Sequence, residues 1–174
     1  VIRTPADNAI GYIKKTVFGD VMNIKQVSVD KEGTGMGWGA VYAQYLESMD
    51  QISGQGNGLS VSRQLYKGDE ALNESAPLKV GDKITVRLTI KADRDMDFVQ
   101  IKDDRAACME PLQAVSGFRW GNGLGYYQAT KDASTQFFID QMRKGTYVIE
   151  YQVHVNRTGE YQAGIATVQS AYAP

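Results

Sequence analysis

The chain has 174 residues, with 19 Lys and Arg against 20 Asp and Glu, one His and one Cys. That length suits one ordinary domain, or a small module joined to a fragment of another, and buries roughly 68–70% of its unfolded surface without help from a disulfide or metal. The balanced charge gives no steering toward nucleic acid or an anionic membrane. A single Cys excludes an internal disulfide framework and any multi-Cys zinc site, and no apolar run approaches the roughly 20 residues of a membrane span.

No charged start followed by an apolar stretch marks a signal peptide. Beginning at Val1 and stopping at "AYAP", the sequence reads as a piece cut from a longer protein, with maturation of the first residues as the other option. The first candidate element is "TPADNAIGYIKK" (4–15), a short helix with Thr4 as cap, Pro5 at the first position and Asp7 third. Gly11 and the β-branched residues after it weaken that helix. "KQVSVDK" (25–31) and "WGAVYAQYL" (38–46) then alternate apolar and polar residues as strands do.

The glycine-rich "SGQGNG" (53–58) suggests a boundary. About three strands precede it, too few to be stable alone, so residues 1–52 read as the tail of an earlier domain packed against residues 59–174. About seven strands follow. In "KITVRLTIKA" (83–92), Ile84, Val86, Leu88 and Ile90 share one face; in "YVIEYQVHV" (147–155), Tyr147, Ile149, Tyr151, Val153 and Val155 share the core face while Glu150, Gln152 and His154 point out. "LSVSRQLY" (59–66), "FVQIKD" (98–103), "QFFIDQM" (136–142) and "YQAGIATVQ" (161–169) alternate likewise, separated by turns at "VGD", "WGNGLG", "RKG" and "NRTGE". Short strands at this spacing without a long helical period predict an all-β, antiparallel β-sandwich.

The densest run of chemically capable side chains is "KADRDMDFVQIKDDRAACMEP" (91–111). Asp93, Asp95 and Asp97 match the first three ligand positions of an EF-hand loop, but Phe98 stands where the loop needs Gly and Asp104 where it needs a bidentate Glu. The stretch also lies between strands, not helices. A solvated corner is the better reading, with Arg94, Lys102 and Arg105 offsetting the acids. Cys108 as nucleophile would need His154 as its base; a lone Cys in "AAC" reads more simply as a small buried apolar residue. One His excludes a three-His metal site. "GNGLG" (121–125) lacks the Lys-Ser/Thr of a phosphate-binding loop and is a turn. Trp120, Tyr126 and Tyr127 flank it, either as a sugar- or peptide-stacking platform or as cross-strand and core aromatics. "NRT" (156–158) has the form of a glycosylation acceptor.

Three stretches carry a resemblance. "GMGWGAVYAQYLESMDQIS" (35–53), "LKVGDKITVRLTIKADRDMDFVQIKDDRAACMEP" (78–111) and residues 116–174 resemble the C-terminal end of bacterial alpha-2-macroglobulins, Bacteroidetes type. The resemblance implies a macroglobulin-like β-sandwich for 59–174 and implies that 1–52 are the returning strands of the preceding CUB-like domain. It also implies a periplasmic or envelope-surface parent, commonly lipid-anchored, that traps proteases: a bait is cut, the body rearranges and a thioester couples to the attacker. That thioester joins a Cys to a Gln three residues on. In "CMEP" (108–111) Pro111 holds the Gln position and has no amide to give, so no thioester forms here. In relatives a second Cys stands near the position of Ser170, able to pair with the one at Cys108; here Ser170 removes that option.

The reading that follows is a non-catalytic terminal module of a protease inhibitor, with no cofactor, no metal and no nucleic-acid partner. Its partners are the neighbouring domains of the parent chain, target proteases meet it through the full-length protein, and any membrane link is an anchor outside this chain. Asp93, Arg94, Asp95, Asp97, Arg105, Trp120, Tyr126 and Tyr127 are the candidate interdomain or partner surface. The alternatives are a glycan- or protein-binding adhesin module using the 118–127 aromatics, which exposure of Trp120 and Tyr126 would favour, and an enzyme built on Cys108 or the acidic run.

Overall fold

The computed structural model describes residues 14–19, 26–28, 30, 33–42, 44, 56, 58–73 and 76–172. The chain divides into two compact units, Val1–Leu46 and Glu47–Pro174. In the first, the described residues carry no strand or helix: residues 26–28 and 38–42 alternate in sequence yet form no ladder here. Most of the predicted helix at 4–15 lies outside the described residues, and Lys14 and Lys15 are not helical.

The second unit is all-β. Its strands are β1 (Leu59–Lys67), β2 (Glu70–Ala71), β3 (Lys83–Ala92), β4 (Met96–Asp104), β5 (Met109–Pro111), β6 (Gly117–Gly121), β7 (Leu124–Thr130), β8 (Ser134–Met142), β9 (Gly145–Val155) and β10 (Ala166–Ser170). Two antiparallel sheets result, ordered β2-β1-β3-β9-β5 and β10-β4-β8-β7-β6. Where about seven strands are predicted, ten form among the described residues. The additions include β2 and β5, of two and three residues, which are too short to show a period.

Alternation decides which face is buried. Ile84, Val86, Leu88 and Ile90 of β3 pair in register with Val153, Tyr151, Ile149 and Tyr147 of β9, so two predicted apolar faces become one. Ile84, Val86, Leu88, Ile149, Tyr151 and Val153 are all buried, as expected. Against them pack Val99, Ile101, Phe137 and Ile139 from the facing sheet. Each such side chain contributes roughly 1.5–3 kcal/mol by leaving water.

Two local departures shape the surface. Phe98 takes a left-handed backbone at φ 52°, and the pleat changes phase there: Val99, Ile101 and Asp103 are buried on one side of it, but Met96 rather than Asp97 on the other. β8 shifts in step, burying Phe137, Ile139 and then Met142. The predicted strand at 161–169 begins only at Ala166. Residues before it cross the end of β4 so closely that a Cβ on Gly164 would lie 2.8 Å from the Asp104 carbonyl oxygen, which bars a regular side-chain-bearing strand at that point.

Candidate functional site

The acidic stretch 91–111 unfolds into the end of β3, a corner, β4, a turn and β5. Its three leading carboxylates do not converge. Asp93 pairs loosely with Arg94 at 3.6 Å, both exposed. Asp95 Oδ1 accepts the Lys144 backbone N–H at 2.7 Å, tying the β3–β4 corner to the β8–β9 turn. Asp97 is exposed, and its carbonyl accepts the Ser170 hydroxyl at 3.3 Å. Among the described residues no group of three or more His, Cys, Asp or Glu could hold a metal ion. Beside the corner lies a shallow depression of about 410 Å³ whose polar lining includes Lys91, Asp93, Lys144 and Thr146.

Asp103 behaves differently. It continues the inward phase of Val99 and Ile101 and ends 1% exposed. Arg63 of β1, in the opposite sheet, gives its Nη1 to Asp103 Oδ1 at 2.7 Å and to the Asp104 carbonyl at 3.0 Å, while its Nη2 donates to the Gly164 carbonyl. The Tyr151 hydroxyl donates to Asp103 Oδ2 at 2.6 Å. This network joins the sheets across the core. Burial pushes the Asp103 carboxyl above the ordinary carboxylate range, against the pull of Arg63 and Tyr151. Burial also pushes the Tyr151 phenol up, reinforced by the Asp103 charge.

Arg105, predicted at a partner surface, is half-buried and bonded within the domain. Its Nη1 donates to Thr135 Oγ1 at 2.7 Å, and its Nη2 to the carbonyls of Lys131 and, at 2.8 Å, Asp132. It therefore clamps the β7–β8 turn. Cys108 is buried. His154 stands on the outward phase of β9, in register with Lys83 on one side and Glu110 on the other. Nor can the positions of Cys108 and Ser170 be disulfide partners. Ser170 pairs with Val99 near the start of β4, whereas Cys108 lies beyond that strand's far end; Val99 to Asp104 alone spans about 17 Å, and a disulfide needs Cα atoms within about 7 Å.

The aromatic hairpin is the other candidate. Asn122 and Gly123 both have positive φ, 52° and 76°, the requirement of a two-residue type I′ turn, and Asn122 Nδ2 donates to the Val148 carbonyl at 3.0 Å. Across the turn, Trp120 pairs with Gly125, where a Cβ would meet the indole at 2.8 Å. Trp120 is 80% exposed and Tyr127 36%. Tyr126 faces the other way, edge-on to the buried Phe137 with ring centres 5.6 Å apart. The predicted trio is thus split between surface and core. Two residues outside the trio join the surface: Phe118, within the 118–127 stretch and 80% exposed, and Phe138, 39%. Register places Phe118 beside Tyr127 and Tyr127 beside Phe138. Phe118 was detectable, standing two residues from Trp120 on the same strand face.

Comparison with known proteins places this sandwich. Residues 58–174 match the family model described as the bacterial alpha-2-macroglobulin MG10 domain. The fold is similar to Salmonella alpha-2-macroglobulin reacted with methylamine, with TM-score 0.59 and 19% identity over 71% of this chain and 9% of that one. Escherichia coli alpha-2-macroglobulin activated by porcine elastase gives TM-score 0.59 and 16% identity over 70% of this chain and 12% of that one. A curated relative, "Circularly permutated Ras protein 2" of Dictyostelium discoideum, is 26% identical over 84% of this chain but only 4% of its own length. The chain therefore spans a small fraction of each of these proteins. By its match over residues 58–174, the chain belongs to the bacterial alpha-2-macroglobulin MG10 domain family.

Proposed function

We propose that the chain is a non-catalytic module of an alpha-2-macroglobulin-like protease trap, acting by position: it packs against neighbouring domains of its parent, and target proteases meet it only through the full-length protein. The family match over residues 58–174 carries this reading. "CMEP" supports it, because Pro111 cannot supply the acyl group of a thioester. In the same reading residues 1–52 are the returning strands of a CUB-like domain, and the module is the C-terminal end of a Bacteroidetes-type parent. That parent sits in the periplasm or at the envelope surface, with any membrane anchor outside this chain.

The test is to express the full-length parent and add proteases of several specificities. A trap hinders cleavage of large protein substrates while leaving small peptide substrates accessible. Equal rates on large substrates with and without the parent, across the panel, would sink the reading. Of the two residues whose exposure would favour a glycan- or protein-binding adhesin module, Trp120 is exposed and Tyr126 packs on the core, so that second reading keeps half its support. Retention of the chain on a glycan array, lost on Trp120→Ala, would promote that reading over the first.

A further inference from the structure

We propose that the outer face of the second sheet is the surface through which this module docks onto another domain of its parent chain, outside residues 1–174. The inference rests on the module reading above and adds the face, its residues and the chemistry of the partner.

The row Phe118, Tyr127, Phe138, Gln100, Gln169 crosses all five strands in register, one residue per strand. Two pairs in it touch: Phe118 and Tyr127 meet edge-to-face with ring centres 5.1 Å apart, and Gln169 donates to Gln100 at 3.3 Å. Trp120 widens the row at one end. Phe98, two residues before Gln100 and 52% exposed, widens it at the other and meets the 79% exposed Tyr172 edge-to-face, ring centres 5.4 Å apart.

At about 200 Å² per aromatic side chain, Phe118, Trp120, Tyr127 and Phe138 present roughly 470 Å² and the Phe98–Tyr172 pair roughly 260 Å², with Gln100 and Gln169 in the row between them. The largest apolar patch of an ordinary monomer is about 300–600 Å², and one side of a stable interface is about 800 Å². Taken together, the two aromatic groups and the glutamines between them approach the area of an interface. Phe98 adds an independent sign. A bulky residue at φ 52° costs on the order of 1–2 kcal/mol, and here that strain holds an exposed ring in the patch instead of filling the core.

The occupant follows from what lies outside the chain. The similar structures are roughly eight to eleven times longer than the portion matched, which covers 12% and 9% of them. Domains tethered in one chain meet at millimolar effective concentration, far above any second copy. The partner surface is apolar at its centre, where it covers Phe118, Trp120 and Tyr127. It carries amide groups toward Gln100 and Gln169 and a Lys or Arg toward Asp140, the exposed carboxylate two residues after Phe138.

A photoreactive benzophenone amino acid at position 118 or 120 of the full-length parent tests this, with position 152, exposed on the outward phase of β9, as control. Mixing isotope-labelled and unlabelled parent separates links within a chain from links between chains. The expected result is in-chain crosslinks from 118 and 120 to residues outside 1–174, absent from 152 and unchanged on about tenfold dilution. Phe98→Gly, which relieves the strained backbone while removing a ring, should lower their yield several-fold without lowering the melting temperature. Crosslinks confined to residues 1–174, found mainly between chains, or no more frequent than from 152 would overturn the proposal. Protease trapping is measured on the same preparations: trapping without these crosslinks rejects the face alone, whereas absence of trapping rejects the module reading.

Discussion

Replacing Arg63 with methionine keeps most of the side chain's volume but strips the buried Asp103 of its cation. The contact is short, 2.7 Å, between a guanidinium 20% exposed and a carboxylate 1% exposed. At an effective dielectric of about 20 the gross attraction is roughly 6 kcal/mol, much of it offset by desolvation. Removing one member of a buried pair costs about 3–5 kcal/mol because the other charge is left alone. The Asp104 and Gly164 carbonyls also lose a donor. We expect a loss of about 3–5 kcal/mol near neutral pH by chemical denaturation, or roughly 10–15 °C in melting temperature for a domain of this size.

The pH dependence follows from the same geometry. Burial raises the folded Asp103 carboxyl above its unfolded value, so the folded state holds that proton more tightly. The resulting stability is present in acid and is lost as pH climbs through the folded value. Without Arg63 the folded value rises further, and a protonated Asp103 needs no cation, so the variant's deficit shrinks toward acid pH. Arg63→Met with Asp103→Leu should be more stable than Arg63→Met alone. A deficit under about 1 kcal/mol, the range of surface pairs, or one equal at acid and neutral pH, would refute the reasoning.

Other outcomes are expected. Arg87→Ala, which removes an exposed pair with Glu150 and a cation stacked 4.3 Å over Tyr66, should leave the denaturation midpoint close to that of the unmodified chain. Gly164→Ala forces a Cβ into Asp104 and should cost about 1–3 kcal/mol, read from the same curves. Asn122→Val puts a β-branched residue at positive φ and removes the bond to Val148; a loss of about 1–2 kcal/mol is expected. Calcium should leave the melting temperature unchanged, because among the described residues no three carboxylates converge on a metal site; a site held at 100 times its dissociation constant would add about 2.7 kcal/mol.

The sandwich was legible because β3 and β9 alternate over their whole length, leaving one solution for which face is buried. The inter-sheet network was missed, since Asp103 was read into a solvated corner and is 1% exposed, although the signal was there in part. Arg63 shares a phase with Val61 and Leu65, and Asp103 shares one with Val99 and Ile101, so alternation assigns opposite charges to the core from two strands. What sequence could not supply is that β1 and β4, from different sheets, bring the two into contact. The aromatic face was half legible: Trp120 and Tyr127 were candidates, but β8 also had to be ordered beside β7 before Phe138 could join them. Phe98 was hidden only in part. Alternation puts it outward with Gln100 and Lys102, where it is found, but the left-handed backbone there and the ring contact with Tyr172 have no sequence signal. The clamp made by the half-buried Arg105 was not legible because its partners, Thr135 and the Lys131 and Asp132 carbonyls, come from a turn about 30 residues downstream.

The proposed module, if it acts by position alone, carries no trapping chemistry of its own. Purified chain is incubated with a panel of proteases, residual activity on a protein substrate is followed, and intact masses are recorded. The account predicts full protease activity and no mass addition, since Cys108 is buried and Pro111 offers no acyl group. Stoichiometric inhibition, or a covalent adduct that disappears in Cys108→Ala, would contradict it.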